Sequence, residues 1–286
     1  MLTRTRTRRA ATRRAPARGV ARGLARRAWM RAVAALFVLG MAGGGAAVPA
    51  HATGNDGDQG RVALDDGVFT VAVFGDSLAD GLWASIYRRL QRDERFEVLR
   101  ATKAATGITR PDYYDWSVAL SEHLADNAID AAVFSIGLND MQAMVVDDSR
   151  AVEFRSETWD RLYRERVGGL MDQLEQAGIP TFWIGQPIMR SDRYSANISH
   201  VNDLIRAETE PRDIPFVELW PVAADENGDY ASYLADADGR SRLIRANDGI
   251  HFTSRGYDLL ARHVLDVMRT RLGVFRTQAA EGGGTL

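Results

Sequence analysis

Short apolar runs alternate with longer amphipathic segments through the middle of the chain. The apolar runs are five or six residues long, which suits buried strands: Phe69–Phe74, Phe96–Arg100, Ala131–Ile136, Thr181–Gly185 and Pro215–Leu219. The segments that follow them carry apolar residues at helical spacing: Leu78–Arg92, Ser117–Asn127, Trp159–Gln176, Ile198–Thr209 and Ser254–Leu272. This alternation predicts an α/β fold, a three-layer α/β/α sandwich around a mostly parallel sheet of about five strands.

One segment interrupts the alternation before the last helix. Tyr230–Ala235 and Ser241–Arg245 flank the turn-forming stretch Asp236–Gly239, so we predict a hairpin there. The polar residues of this region are also typical of part of a calcium loop: Asp225, Asn227, Asp229, Asp236 and Asp238. Their spacing lacks the required glycine and the distal glutamate. Turn formation explains these residues better, and no metal is expected.

Residues 1–52 have the three parts of a secretory leader. A basic head ends at Arg31, an apolar run follows over residues 32–48, and Ala50-His51-Ala52 supplies small residues for cleavage. The apolar run is marginal in length for a membrane span, so an uncleaved anchor is the alternative to a cleaved signal peptide. Arg26-Arg27 loosely resembles a twin-arginine signal. Either alternative predicts an exported, periplasmic or extracellular domain, tethered to the inner membrane if the leader is retained.

The rest of the chain differs from the leader in charge and composition. Residues 53–66 are polar and predict a flexible lead-in, 67–275 hold one folded domain, and 276–286 form a flexible tail. The leader contains 11 of the 36 Lys and Arg residues and no acid, so the remainder carries 25 basic and 38 acidic residues, a formal charge of −13. Such a chain repels phosphate, which argues against nucleic-acid binding. The absence of cysteine excludes disulfides and a thiol nucleophile.

Four motifs follow predicted strands or precede the last helix, where a parallel α/β sheet forms its sites. Gly75-Asp76-Ser77-Leu78 follows the first strand and opens a helix, so the Ser77 N–H can stabilise an anion that forms there. Taken alone, Asp76 and Ser77 could simply cap that helix. Gly107 follows the second strand, where a glycine either lets the backbone approach a ligand or only makes a loop.

The other two motifs add an amide and an acid–base pair. In Gly137-Leu138-Asn139-Asp140, after the third strand, Asn139 can donate its side-chain N–H to an oxyanion, and we expect Asp140 to cap or brace the loop. In Asp248-Gly249-Ile250-His251, a carboxylate three residues before a histidine can bind Nδ1 and leave Nε2 to accept a proton from a serine. The four motifs together are far more specific than any one of them.

In order and spacing, the four motifs resemble the four sequence blocks of the SGNH (GDSL) hydrolase superfamily. The resemblance extends from about Phe69 to Leu272. More narrowly, the chain resembles the exported bacterial family DUF459, on these features: Ser77-Leu78-Ala79-Asp80-Gly81, Tyr114-Asp115-Trp116, Gln142, and Thr253, Gly256 and Tyr257 after the histidine. The resemblance implies a flavodoxin-like strand order and makes residues 67–275 a catalytic domain.

The resemblance also implies a role for each motif residue. Ser77 attacks an acyl carbonyl, His251 acts as general base and then as general acid, and Asp248 orients His251. The N–H groups of Ser77 and Gly107 and the side chain of Asn139 form an oxyanion hole. The protein is thus expected to be a serine esterase of the SGNH type that needs no cofactor.

Other residues exclude alternative mechanisms but say less about the substrate. The only lysine, Lys103, gives a Ser–Lys mechanism little to work with, and no pair of histidines has the spacing of zinc ligands. Trp83, Trp116 and Trp183 lie near strand ends, where they either stack on sugar rings or pack in the core. Arg190 or Arg193, after the fourth strand, either meets an anionic substrate or pairs with a nearby acid such as Asp192.

We expect the substrate to be an acyl ester, with acetyl favoured, on a cell-envelope or extracellular carbohydrate. Predicted export combined with acyl-transfer chemistry motivates this choice. An O-acyltransferase that uses the same site, a lipid or thioester hydrolase, and a non-catalytic envelope protein on a hydrolase scaffold remain open. The expected partners are therefore an acylated carbohydrate or another small ester, with no nucleic acid and with membrane contact only through a retained leader.

Overall fold

A parallel sheet of five strands organises the fold. The computed structural model describes residues 67–147 and 150–273. In chain order the strands are β1 (Phe69–Gly75), β2 (Phe96–Thr102), β3 (Ala131–Ser135), β4 (Met144–Asp147), β5 (Arg150–Val152), β6 (Thr181–Ile184), β7 (Phe216–Val217), β8 (Tyr233–Ala235) and β9 (Ser241–Leu243). The central sheet has the order β2-β1-β3-β6-β7, the flavodoxin-like order, and all its pairings are parallel. The predicted α/β fold is confirmed.

Helices connect the strands, and most begin at a side-chain cap. They are α1 (Ser77–Leu90), α2 (Trp116–Asp126), α3 (Glu157–Gln176), α4 (Asp192–Thr209), the short α5 (Trp220–Ala223) and α6 (Ser254–Arg271). Asp76, Ser156, Ser191 and Thr253 each accept a hydrogen bond from a backbone N–H in the first turn of α1, α3, α4 and α6. These caps fix the start of each helix because they satisfy a donor that the helix itself leaves free.

Two hydrophobic layers pack against the two faces of the sheet. Along β1, Val71 and Val73 contribute to one layer, whereas Ala72 and Phe74 contribute to the other, as the alternation of side chains along a strand requires. The first layer contains apolar residues of α1 and α6, and the second contains those of α2 and α3. The three-layer sandwich predicted from the alternating pattern therefore exists.

The structure also corrects several details. The hairpin predicted before the last helix is present, with Tyr233 opposite Leu243 in β8 and β9. The β4–β5 hairpin after the third strand was not predicted. Helix α4 begins at Asp192 rather than at the predicted Ile198, because Ser191 caps the polar first turn by accepting from Tyr194 N–H.

Several predictions lie outside the described residues. These are the leader over residues 1–52, the lead-in over 53–66 and the tail over 276–286. Within residues 67–147 and 150–273, no helix is long and apolar enough to cross a membrane.

Candidate active site

The turn between β1 and α1 places Ser77 at the carboxyl edge of the sheet. Gly75, the last residue of β1, has a φ of +132°, and a Cβ there would lie 1.7 Å from the Ser135 carbonyl oxygen, so the turn requires glycine. Asp76 N–H donates to that same carbonyl at 3.2 Å. Ser77 is the first residue of α1, so its N–H has no partner within the helix and remains available to a ligand.

Ser77, His251 and Asp248 form a continuous chain of hydrogen bonds. Ser77 Oγ and His251 Nε2 are 2.8 Å apart, and His251 Nδ1 and Asp248 Oδ2 are 2.7 Å apart. Both distances are those of good hydrogen bonds, and the order of the three groups is that of a nucleophile, its base and the acid that orients the base. The structure thus brings together three residues that the sequence separates by as many as 174 positions.

The loop that carries His251 is shaped by the Asp248 carboxylate. Asp248 Oδ1 accepts from the N–H groups of Ile250 and His251 at 2.8 and 2.9 Å, while Oδ2 binds the imidazole. Partial burial raises the pKa of Asp248, but these hydrogen bonds outweigh it and hold the pKa at about 2. Asp248 is therefore ionised over the whole neutral range and can stabilise an imidazolium on His251.

Asn139 and Gly107 lie on neighbouring loops that are joined to each other. Asn139 Nδ2 donates one N–H to the Thr106 carbonyl oxygen at 2.8 Å, which ties the loop after β3 to the loop after β2. An amide nitrogen carries two N–H groups, so the second remains for an oxyanion. The N–H of Gly107 has no hydrogen-bond partner among the residues the structure describes. The geometry is compatible with the predicted oxyanion hole, with Asn139 also acting as a loop brace.

Asp140 braces the loop after β3, which is one of the two roles predicted for it from the sequence. Its carboxylate is fully buried and accepts from Thr109 N–H, Thr109 Oγ1 and the Tyr163 hydroxyl, each at 3.0 Å. Burial raises the pKa of Asp140, and the three hydrogen bonds partly oppose that shift. A Cβ on Gly107 would lie 2.1 Å from Asp140 Oδ1, so glycine is what allows the two loops to approach.

Asp76 lies beneath the nucleophile as a second buried carboxyl group. Oδ1 accepts from Leu78 N–H at 2.9 Å, whereas Oδ2 is buried without a partner in the described part of the chain. Burial, with a contribution from the charge of Asp140, raises the pKa of Asp76 to about 7 despite the helix N–H that favours the anion. The Asp76 side chain caps α1. Among the described residues it makes no hydrogen bond with His251.

Arg190, after β6, bonds backbone carbonyl groups and not the nearby acid that the sequence suggested. Arg190 donates from Nη1 to the Asn247 carbonyl at 2.8 Å, and its backbone N–H donates to the Gly249 carbonyl at 3.1 Å. Both acceptors belong to the loop of Asp248 and His251. Arg190 therefore supports that loop and makes no salt bridge with Asp192 within the described residues. Sequence reasoning missed this role because a contact with a backbone carbonyl leaves no signature in the acceptor's side chain.

Only one of the three tryptophans considered as sugar platforms is accessible. Trp116 and Trp183 are 3% and 0% exposed and belong to the core layer under α2 and α3, so the sugar-stacking alternative is wrong for both. Trp83 is partly exposed. Its ring stacks on Tyr87 with the centroids 5.7 Å apart, and the Arg100 guanidinium lies 5.0 Å from its centre.

The acids of the suspected calcium loop have turn roles. Asp225 Oδ1 accepts from the N–H groups of Asn227 and Asp229 at 2.9 and 3.0 Å. Within residues 67–147 and 150–273, no group of three or more His, Asp or Glu side chains is arranged to hold a metal ion.

An open cleft lies beside the loop of His251. It is lined by aromatic and polar side chains that include Arg190, Asp192, Trp220, Asp229 and Tyr230. A second open cleft, along α3 and α4, is lined mainly by charged side chains and contains no member of the Ser–His–Asp set. The first cleft is not lined by Ser77, His251 or Asp248 either, but Arg190, which lines it, also bonds the His251 loop.

Comparisons with known proteins agree with this architecture. A family model described as "Protein of unknown function (DUF459)" matches residues 70–267, more than half of the chain. No curated protein matches this chain. Among solved structures, the acetyl xylan esterase AlAXEase is 15% identical with a TM-score of 0.51, covering 70% of this chain and 99% of that chain.

Two further structures are similar at the same level. LAE5, an α/β hydrolase enzyme from the metagenome of Lake Arreo, Spain, is 14% identical with a TM-score of 0.52, covering 74% of this chain and 98% of that one. TesA is 16% identical with a TM-score of 0.50, covering 71% and 99%. At such identities the likeness concerns the fold. The chain belongs to the DUF459 family, and it has the fold of the SGNH hydrolases.

Proposed function

We propose that the protein is an exported serine esterase that removes acyl groups, foremost acetyl, from a carbohydrate. The observation that carries the proposal is the unbroken chain of hydrogen bonds from Ser77 through His251 to Asp248. Its placement at the amino end of α1, beside loops that can offer two further donors, supports an ester as the substrate. Export rests on the basic and apolar leader in the sequence.

The reaction follows from the positions of the atoms. Ser77 Oγ attacks the acyl carbon while His251 Nε2 takes the hydroxyl proton, and the carbonyl oxygen becomes an oxyanion. When this intermediate collapses, the bond to the alcohol oxygen breaks and His251 returns the proton to the leaving alcohol. Water then attacks the acyl-enzyme by the reverse sequence of proton transfers, which releases the acid and restores Ser77.

The oxyanion is stabilised by donors from three loops. The N–H of Ser77 lies at the positive end of α1, and the N–H of Gly107 and the second N–H of Asn139 Nδ2 are free to join it. Fixed donors of this kind act most strongly when the charge has developed, so they lower the barrier and do not merely tighten substrate binding.

The cleft beside the His251 loop supports a carbohydrate as the alcohol part of the ester. Trp220 and Tyr230 offer ring surface, and Asp192 and Asp229 offer acceptors for sugar hydroxyls. Among the structures of similar fold, one is described as an acetyl xylan esterase. We accordingly place the acyl group at Ser77 and the sugar toward this cleft.

A panel of esters tests the proposal. The purified domain is assayed with p-nitrophenyl esters of increasing chain length and with acetylated oligosaccharides, and free acid is quantified. Hydrolysis that is fastest for acetyl and faster on the sugar than on the chromogenic ester supports the proposal. Transfer of the acyl group to an added sugar in place of water would identify an acyltransferase instead.

Ser77→Ala is the decisive variant in this panel. Loss of the nucleophile should lower kcat by roughly 10⁶-fold, because acyl-enzyme formation has no other route. Ser121→Ala, an exposed serine on α2, is the matched control and should leave the rate unchanged. Turnover by the Ser77 variant at a rate near that of the unmodified protein would remove Ser77 from the reaction.

A further inference from the structure

Arg245 lies at the neck of the loop that carries Asp248 and His251. Its backbone pairs with Phe252 in an isolated antiparallel bridge just beyond β9. Immediately inside this bridge, Ala246 N–H donates to the His251 carbonyl at 2.9 Å, so the loop closes on itself. The Arg245 side chain is 1% exposed, so it lies within the protein and not in solvent.

The guanidinium group joins this loop to the segment after β6. Nη1 donates to the carbonyl oxygen of Ile250 at 3.0 Å, and Nη2 donates to that of Ile188. Ile250 directly precedes His251, so the first bond fixes the backbone next to the imidazole. Ile188 lies four residues beyond the end of β6, so the second bond ties the loop to the central sheet.

Aromatic rings and carbonyl dipoles, not a carboxylate, surround this buried cation. The guanidinium carbon lies 3.7 Å from the centre of the Phe252 ring and 5.1 Å from that of Tyr230. Among the described residues, its hydrogen bonds go to carbonyl oxygens alone. Burial lowers the pKa of Arg245 to about 10, which leaves it protonated at neutral pH.

Placing a cation in such a position is costly, because no carboxylate bonds it and the charge of Asp248 offsets only part of its removal from water. An apolar side chain of similar volume would fill the same space without that cost. It could not, however, donate to two carbonyl groups on different segments at once, which the planar fork of arginine does. Arginine at this position therefore costs free energy but joins two backbone segments next to His251.

We propose that Arg245 is a positioning residue that holds the His251 loop against the segment after β6, so that Nε2 stays within reach of Ser77 Oγ. The proposal rests on the esterase function proposed above, in which that contact transfers the proton. Ser77 and His251 are 174 residues apart and reside on separate elements, so their 2.8 Å contact depends on tertiary support. A displacement of about 1 Å at a catalytic contact is enough to cost about 100-fold in rate.

Two variants and a matched control test the proposal in the full-length protein. Arg245→Met removes the charge and both donors at similar length, and Arg245→Lys keeps the charge but cannot reach both carbonyls as a fork. Arg155→Met is the control, because Arg155 also donates to a carbonyl, that of Ala196, and lies 5.7 Å from the Phe154 ring, away from the His251 loop. Each protein is assayed well below its own melting temperature.

The expected result separates positioning from stability. Arg245→Met should lose about 10- to 100-fold in kcat with KM within about twofold of the unmodified protein, Arg245→Lys should be intermediate, and Arg155→Met unchanged. A lower melting temperature with full kcat in both Arg245 variants would overturn the proposal. If Arg245→Met does not fold, a folded Arg245→Lys with full kcat overturns it equally.

A second readout does not depend on any ester. The proton shared between His251 Nδ1 and Asp248 gives a far-downfield NMR resonance while the imidazole is held in place. This resonance should broaden or disappear in Arg245→Met and remain in Arg155→Met. If the unmodified protein shows the resonance but cleaves no ester, the proposed function fails while the positioning role is still tested. An unchanged resonance in both Arg245 variants contradicts the positioning role.

Discussion

The serine side and the histidine side of the candidate site are held in place by opposite kinds of buried charge. On the serine side, the carboxyl groups of Asp76 and Asp140 lie under α1 and the loop of Asn139 and accept hydrogen bonds from backbone N–H and hydroxyl groups. On the histidine side, the guanidinium of Arg245 donates to backbone carbonyls. The buried carboxyl groups thus accept from N–H and O–H groups, whereas the buried cation donates to carbonyl oxygens.

This difference gives the two sides different responses to pH. Burial raises the pKa of both carboxyl groups on the serine side, to about 7 for Asp76, so that side changes charge near neutrality. On the histidine side, the pKa of Asp248 is about 2 and that of Arg245 about 10, so both supporting charges stay fixed between these limits. Changes in stability near neutral pH should therefore arise on the serine side.

Breaking the histidine side at Asp248 should have the largest effect. Asp248→Asn keeps an oxygen for the N–H groups of Ile250 and His251 but places an amide donor against His251 Nδ1, which favours the wrong tautomer. We expect kcat to fall by about 10⁴-fold while the melting temperature changes little. Steady-state kinetics and thermal unfolding measure the two quantities. A loss below tenfold would show that Asp248 does not orient the base.

Breaking the serine side at Asn139 should have an intermediate effect. Asn139→Ala removes an oxyanion donor, which typically costs about 10²- to 10³-fold in kcat with little change in KM. It also removes the bond to the Thr106 carbonyl, so the melting temperature should fall as well. Gln142→Ala is the control for bracing, because it removes a bond to the Asn139 carbonyl oxygen at 2.7 Å but leaves the Asn139 side-chain amide in place, and it should keep its kcat. A less stable Asn139 variant with full kcat would leave Asn139 as a brace only.

Replacing Asp76 should have the smallest effect on the rate. It should instead change how the stability of the serine side depends on pH. Because the pKa of Asp76 is raised from 3.8 to about 7 on folding, the folded protein keeps a proton that the unfolded chain loses between those values. Stability from this group is therefore greatest below pH 4 and declines as pH rises to about 7. Asp76→Asn retains a capping oxygen and cannot titrate.

Denaturant titration at a series of pH values tests this prediction. The free energy of unfolding of Asp76→Asn, measured by denaturant titration between pH 4 and 8, should fall less steeply with rising pH than that of the unmodified protein. Asp140→Asn is a useful companion, because it removes the other buried carboxyl group. Equal slopes for the Asp76 variant and the unmodified protein would mean that Asp76 does not titrate in this range.

The pattern of the sequence was sufficient for the parallel sheet and for the location of the motifs. Apolar runs with strand length and intervening helical periodicity are strong local signals, and the carboxyl ends of parallel strands converge on one edge. Ser77 and Asn139 follow strands of this sheet, so the pattern predicts that they lie close together, and the family resemblance adds His251 to them. The predicted helix starts were less exact. Helix α4 begins at Asp192 rather than at Ile198, and α3 begins at Glu157 rather than at Trp159, because each begins with polar residues after a serine cap.

The supporting contacts could not be predicted in the same way. Arg245 and Arg190 bind backbone carbonyls, and any residue type can supply a carbonyl, so the acceptor leaves no trace in the sequence. The same reason hid the bond from Asn139 to Thr106. Trp116 and Trp183 were ambiguous because burial depends on which tertiary layer covers a strand end. The candidate catalytic residues could therefore be predicted from the sequence more readily than the residues that hold them in place.

Covalent trapping of the nucleophile tests the central claim most directly. A fluorophosphonate reacts with a serine that an adjacent base activates and leaves a stable adduct whose position peptide mass spectrometry identifies. The account predicts one adduct per chain, on Ser77, with labelling that is abolished in Ser77→Ala and strongly slowed in His251→Ala. Stoichiometric adduct on another residue, or no adduct on a correctly folded protein, would contradict it.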